Sequence, residues 1–421
     1  MAITYPRTKR GQLEIRESAS WGADTGAWTY LKAKEVAFPS GLDYVEGDDI
    51  TQADAEDVGS ILYAPGDVTL RTGLHPAVSA WPAMAPVIGD IPPIFTVLKS
   101  LFGLVTVGGY GVTTTGNSAN VLQFDIYGST PSVLGFKPSD LAYVRKAGAS
   151  NILGVGRIAS VDDLAFTVTL LAPLPSIPDD GAIVYGGFEA AKVSTDVSTP
   201  LDLRWTGEAA YDVRKSLSCL PSSAGISAPF RGLAELNMTF RAAKPTPPDA
   251  SESGGGAAAQ SYPYPETSQV ILGGLYHWDG STNRKLTGGV EIDFGVELSE
   301  VGGINSVDPN GIAAMVLSAR KIRVRLTPAM NTDGYAMWDI FQNPPTVSVL
   351  TGWWGVGERV WAFQVAQTSI VSAPQYADDE GKQMVEVEFG ANPYTGDTGS
   401  ASTTTGVDSP FVLGCLAGAA S

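Results

Sequence analysis

Two carboxylate pairs, two histidines and several glycine-rich turns are the residues of this chain whose type and spacing invite chemistry. Glu291 stands two residues from Asp293, and Glu386 two from Glu388, a pairing that in a glycosidase would flank a sugar cleft. Each pair alternates with apolar residues, in VEIDF and VEVEF, so both acids fall on one face of a strand and form a solvated stripe. The fragments GGYGV, GVGR and GVGER lack the spacing of a dinucleotide loop and none ends in Gly-Lys-Ser/Thr at a helix start, which leaves turn or bulge glycines. DDEGK at Asp378 to Lys382 and HWDGSTNRK at His277 to Lys285 do not space oxygen ligands as a calcium loop does, and they read as hairpin turns. A Ser nucleophile elbow of the form G-x-S-x-G is absent. His75 follows a strand and His277 ends one, positions that suit structural or surface imidazoles. Exposed aromatics, Trp353 and Trp354 among them, together with the carboxylate pairs, are what a polysaccharide-degrading protein would need. The expectation is nevertheless no enzyme, no cofactor and no metal.

Composition narrows the class further. The 421 residues are 44% apolar, enough for two ordinary domains or three with an insertion. Lys and Arg number 27 against 44 Asp and Glu, a balance of −17, so a basic DNA-reading face is excluded. Two cysteines and two histidines leave no disulfide framework, and reduced thiols are expected. No stretch approaches the ~20 apolar residues that span a bilayer, and MAITYPRTKRGQ lacks the apolar core of a secretory signal. We therefore expect no membrane insertion.

The elements that must position these residues are strands. Period-two alternation recurs in VEIDFGVEL (Val290 to Leu298), IRVRLT, VEVEF, LDLRW, FTVTLLA and LAELNMTF, the pattern of antiparallel sheets with one buried face. It predicts Val290, Ile292 and Phe294 buried opposite Glu291 and Asp293, and Val385, Val387 and Phe389 buried opposite Glu386 and Glu388. Two helices are expected. In GDIPPIFTVLKSLFG, Pro92 and Pro93 set the first turn, Ile94, Leu98 and Leu101 share a stripe, and Gly103 stops it. In NTDGYAMWDIFQNP, Asp333 is the candidate cap, with Met337, Ile340 and Phe341 inward.

The order of elements occurs twice. RGQLEIRESASWG from Arg10, GDVTLRTGLHPA (Gly66 to Ala77), a helix and VTVGGYGV answer to RGLAELNMTFRAA from Arg231, RKIRVRLTPA (Arg320 to Ala329), a helix and TVSVLTGWWGVGERVWAF from Thr346. LDLRWTGEAAYD with SLSCLPSSAG answers to VEVEFGANPYTGD with VLGCLAGAA, so Cys219 and Cys415 fall at equivalent places. Residues 1–228 and 229–421 then form two tandem β domains, each with one flanking helix. An excess between Ser129 and Gly181 reads as a small inserted β-domain. The Lys244 to Ser268 run, rich in Pro, Gly and Ser, reads by itself as a flexible interdomain linker, but its place after the strand LAELNMTF favours an extended arm in which Tyr262 and Tyr264 could grip a neighbour. A chain of two like units suits closure into a ring.

LAELNMTFRAAKPTPP, LTGGVEIDFGVELSEVGGINSVDPNG and VLSARKIRVRLTP, in that order, resemble the tail tube proteins of long-tailed, siphovirus-like bacteriophages and prophages. WGADTGAWTYLKAKEVAF and GDIPPIFTVLKSLFG look like the start of the family's two-domain members. The resemblance covers nearly the whole chain and is one of pattern and element order. It implies a virion structural protein built of two tandem β-sandwich or half-barrel tube domains. Such chains self-assemble, three to a pseudo-sixfold ring, into stacked rings around a channel for DNA ejection. The implied partners are copies of the chain and other tail proteins at the tube ends, with DNA passing without specific binding. Assembly would occur in the host bacterial cytoplasm and the product would reside in the virion tail. Glu291, Asp293, Glu386 and Glu388 would face the lumen, and Tyr262 and Tyr264 would lie in an arm between rings. A surface-layer or capsid-decorating β-protein is the rival within structural proteins.

Overall fold

A computed structural model of the chain describes residues 11–22, 24–39, 42–45, 60–63, 66–75, 85, 91–192, 199–207, 213–229, 232–246, 272–302, 312–379, 381–396, 398–399 and 409–416. Among these residues the fold is mainly β, with two helices, and no helix is long and apolar enough to cross a membrane.

The largest sheet has 12 strands. Its centre runs in the spatial order Glu35–Ala37, Gly66–Gly73, Glu235–Thr246, Val213–Ala228, Val290–Asp293, Arg323–Leu326 and Lys382–Ala391, every pair antiparallel. Register carries the alternation of each strand across the whole sheet. Leu236, Ile226, Ile292, Val324 and Phe389 form one row on the dry face. The acids expected opposite them are on the wet face, and Val290, Phe294, Val385 and Val387 are buried as the alternation predicts. One strand is shorter than expected. Gly295, at φ +52°, breaks VEIDFGVEL into Val290–Asp293 and Val296–Gly302, because the left-handed backbone turns the chain out of the sheet into a hairpin with Ile312–Arg320.

A second sheet, of seven strands, closes over the dry face in the order Asn283–Lys285, Leu272–Trp278, Val349–Val356, Arg359–Val365, Phe411–Leu416, Gly187–Lys192 and Gly103–Val107. Between the sheets lies helix α1, Ile94–Phe102. The Pro92 and Pro93 carbonyls accept from the first-turn N–H groups of Phe95 and Thr96, and Gly103 ends the helix at φ +89°. Phe95 stacks on Trp361 at 5.5 Å, and Phe102 meets Phe294 edge-on at 5.1 Å and Phe411 at 5.7 Å. Helix α2, Thr332–Gln342, lies at the surface instead. Its cap is Asn331, not Asp333: the Asn331 Oδ1 accepts from the Gly334 N–H at 2.8 Å, while Asp333 sits within the first turn. Met337 and Ile340 are inward, but Phe341 and Tyr335 are exposed.

The two halves of the chain share these sheets and one core. Gly66–Gly73 pairs with Glu235–Thr246 across residues 228 and 229, and the C-terminal strand sits between Gly187–Lys192 and Arg359–Val365. Cys219 and Cys415 are both buried in the common core, yet in different sheets. Leu201–Gly207 pairs with the Cys219 strand, whereas Lys382–Ala391 and the Cys415 strand belong to separate sheets. The expected equivalence of the two closing segments therefore does not hold in strand pairing.

Another seven-stranded sheet occupies the inserted region. It is broader than the 129–181 excess. Its strands run in the order Tyr110–Val112, Ile183–Tyr185, Leu141–Arg145, Ile152–Asp162, Thr167–Leu170 and Val121–Gln123, all antiparallel, and Thr398–Gly399 pairs in parallel with Ile152–Asp162. Leu122, Phe124, Phe136, Val144, Ile158 and Val168 belong to its own apolar cluster. Chain entry and exit are pinched together at glycines: Gly108 N–H donates to Gly187 O at 2.9 Å, and a Cβ on Gly186 would stand 2.3 Å from the Gly108 carbonyl carbon. One face of this sheet, with Leu141, Tyr143, Val155 and Tyr185, packs on the side of the second sheet that faces away from the common core.

A shared core predicts shared unfolding. Phe102→Ala should cost about 3–5 kcal/mol and lower a single cooperative transition, followed by denaturant titration with probes in both halves. Two resolved transitions, only one of them moved, would contradict this.

Candidate functional site

The wet face of the large sheet is a continuous polar wall. Register aligns Glu35, Arg71, Asn237, Gly225, Asp293 and Arg323 in one row and Glu235, Ser227, Glu291, Arg325 and Glu388 in the next. All four acids singled out in the sequence stand on this face. Between the two carboxylate strands runs Arg323–Leu326, and its arginines interleave with them. Arg325 lies 3.6 Å from Glu291 and 3.3 Å from Glu386, and Arg323 lies 3.0 Å from Glu388. At the other end Arg71 lies 3.5 Å from Glu35 and 3.8 Å from Glu235, and Arg241 bonds Glu300 at 2.7 Å. The expected acidic stripe is thus a charge lattice in which acids hold the arginines.

Such exposed pairs are worth about 0–1 kcal/mol each, so the lattice shapes the potential of the wall more than its stability. The wall is shallow. It carries an open groove of about 580 Å³, bordered by Ser227, Thr287, Glu291, Arg325, Met384 and Glu386.

Arg323 and Arg325 were legible in RKIRVRLTP as outward residues of a strand, but their partners were not, because register between distant strands is a tertiary property. Tyr262 and Tyr264 lie outside the described residues, as does the arm beyond Thr246.

The other candidates are structural. His277 is fully buried, with its Nε2 2.8 Å from Ser348 Oγ, which is itself 2.6 Å from Thr368 Oγ1. Burial pushes its pKa down to about 4 against the opposing pull of Asp279. A His-Ser contact with both groups sealed from solvent has no route to a substrate. The His75 carbonyl accepts from Trp361 Nε1 at 2.8 Å.

Asp279 and Asp378 cap their hairpin turns, accepting from Thr282 N–H and Gly381 N–H at 2.7 Å each. Burial works against ionised Asp279, but hydrogen bonds from Thr282 and Ser281 outweigh it and hold its pKa at about 2. Trp353 and Trp354, expected at the surface, are 6% and 0% exposed, since their strand is covered on both faces. They offer no stacking platform for a sugar. Among the described residues no group of three or more His, Cys, Asp or Glu side chains could hold a metal ion.

No protein-family model matches the chain, and no curated protein matches it either.

Two outcomes follow from this geometry. His277 binds a proton more readily in the unfolded chain, at its ordinary 6.5, than in the fold, at about 4. Its contribution is complete above 6.5 and lost as pH falls toward 4, a swing of about 3 kcal/mol. His277→Gln should flatten the urea midpoint over that window, and an unchanged slope would refute the assignment. Replacing Glu291, Glu386 and Glu388 by Gln should leave the fold intact and release Arg323 and Arg325, so that the protein is retained on a heparin column at low salt and eluted as salt rises. Unchanged flow-through would mean that the acids do not quench the arginines.

Proposed function

We propose that this chain is a virion structural protein, the major tail tube subunit of a long-tailed bacteriophage or prophage, with two tandem tube units and a small β unit inserted in the first. In this proposal three chains close a pseudo-sixfold ring, and rings stack into the channel for DNA ejection. The observation that carries it is the polar wall, a wet and shallow face contributed by strands of both halves and backed by one unbroken apolar face.

A conduit for a polyanion must be wetted without offering free cations to phosphates, and arginines held between carboxylates meet that condition. Glu291, Asp293, Glu386 and Glu388 then line the lumen. The inserted sheet, lying beyond the second sheet from the wall, points outward. Among the described residues the large sheet ends in short strands, Thr29–Leu31 and Thr368–Ile370 on its main path and Glu35–Ala37 on a branch, and a sheet with edges is completed when neighbours join it into a barrel. The arm with Tyr262 and Tyr264 contacts an adjacent ring. The role requires no catalytic group and no cofactor, and its partners are copies of the chain and tail proteins at the tube ends. Assembly takes place in the host cytoplasm and the product resides in the virion.

Negative-stain microscopy of the purified protein, with mass measurement of the particles, tests this. Rings or tubes with three chains per ring are expected. Compact monomers at high concentration would overturn the assignment, and six chains per ring would overturn the pseudo-sixfold arrangement alone.

A further inference from the structure

The inserted sheet docks on the second sheet through an apolar contact that has two carboxyl groups inside it. Phe188 and Ala190 point into the common core, so Glu189 between them projects the other way, toward the inserted sheet. Asp140 directly precedes the inserted strand Leu141–Arg145. The two residues are 1% and 2% exposed, and their carboxyl groups are within reach of each other.

The surrounding backbone is cut back to admit them. Gly414 lies opposite Glu189 in register, and a Cβ there would stand 2.8 Å from its Cγ. A Cβ on Gly187 or Gly108 would stand 3.3 or 3.4 Å from its Oε1. Facing the pair are Thr106 from Gly103–Val107, Tyr143 from Leu141–Arg145 and Lys137 from the preceding turn, while Cys415 of Phe411–Leu416 lies on the common-core side of its strand. The backbone N–H groups of Leu141 and Gly187 lie near the Glu189 carboxyl, and that of Lys137 near the Asp140 carboxyl.

Two ionised carboxylates are acceptors only. In that state Glu189 Oε1 and Asp140 Oδ2 remain buried without a donor, and the contact holds two like charges. One proton supplies the donor and removes one of the charges. We propose that Asp140 and Glu189 share a single proton, and that this carboxyl–carboxylate bridge pins the inserted sheet to the body of the subunit and releases it as the proton is lost.

Burial raises Asp140 to about 7 against the lowering pull of Lys137, and burial with the Asp140 charge raises Glu189 well above its ordinary range. Both groups bind protons more tightly in the docked state than in open solvent. Docking is therefore tightest in mild acid and weakens as pH rises through about 7.

Hydrogen–deuterium exchange of the full-length protein from pH 5 to 9, corrected for intrinsic rates, tests the pin. Protection in 103–107, 141–145 and 187–192 should fall by about tenfold or more toward the alkaline end, while 290–293 and 323–326 stay constant. In Asp140→Asn the carboxamide N–H donates to Glu189 without a shared proton, so the fall should disappear. Infrared spectra of the wild type near pH 7 should contain a protonated-carboxyl stretch that Glu189→Gln removes. Uniform protection across the pH range, the same fall in Asp140→Asn, or a wild-type spectrum without that stretch would each overturn the proposal. The wild-type measurements decide even if a variant fails to fold.

Discussion

Two sheets closing on one slab of aromatic side chains is the constraint on which the remainder of this structure depends. Helix α1 is buried on nearly every side, so its apolar surface needs both sheets to cover it. Phe102 touches Phe294 from the second half of the chain and Phe411 from its last strand, and Phe95 is covered by Trp361. Burying such rings is worth several kcal/mol each. Neither half could recover that energy alone, and this is the physical reason that strands of one half complete the sheets of the other.

A sheet held dry on one side by that slab must be wet on the other. The wet side here is long and densely charged, with arginine and carboxylate alternating between neighbouring strands. At exposed positions such pairing adds little stability, but it cancels fields at short range and leaves a modest excess of negative charge. The same logic inverts at the junction with the inserted sheet. There two carboxyl groups meet in a dry contact, desolvation dominates, and protonation takes the place of ion pairing. Acids near equal acids thus behave differently on the two sides of one molecule because water reaches only one of them.

Strand identity, burial parity and helix ends were legible in the sequence because they are local. Period-two alternation placed Val290, Ile292, Phe294, Val385, Val387 and Phe389 inward and their acidic neighbours outward, and Pro93 and Gly103 bounded α1. Local signals also misled. Asp333 and Asn331 are both good caps, and only the path of the preceding strand decides which side chain reaches the free N–H. Gly295 was invisible as a break because alternation resumes beyond it. Trp353 and Trp354 were expected among the surface aromatics, whereas this strand is covered on both faces.

The sequence by itself determined that the chain is a β protein with dry and wet strand faces, acidic in balance, with two helices and extra strands in its first half. Tertiary structure alone decided which strands are neighbours. It set Arg323 and Arg325 between acids that are distant in the sequence, placed Cys219 and Cys415 in different sheets, and brought Asp140 against Glu189. The reason is physical: alternation is encoded by consecutive residues, whereas register between distant strands follows from how the whole apolar slab packs, a property that no short stretch of sequence contains.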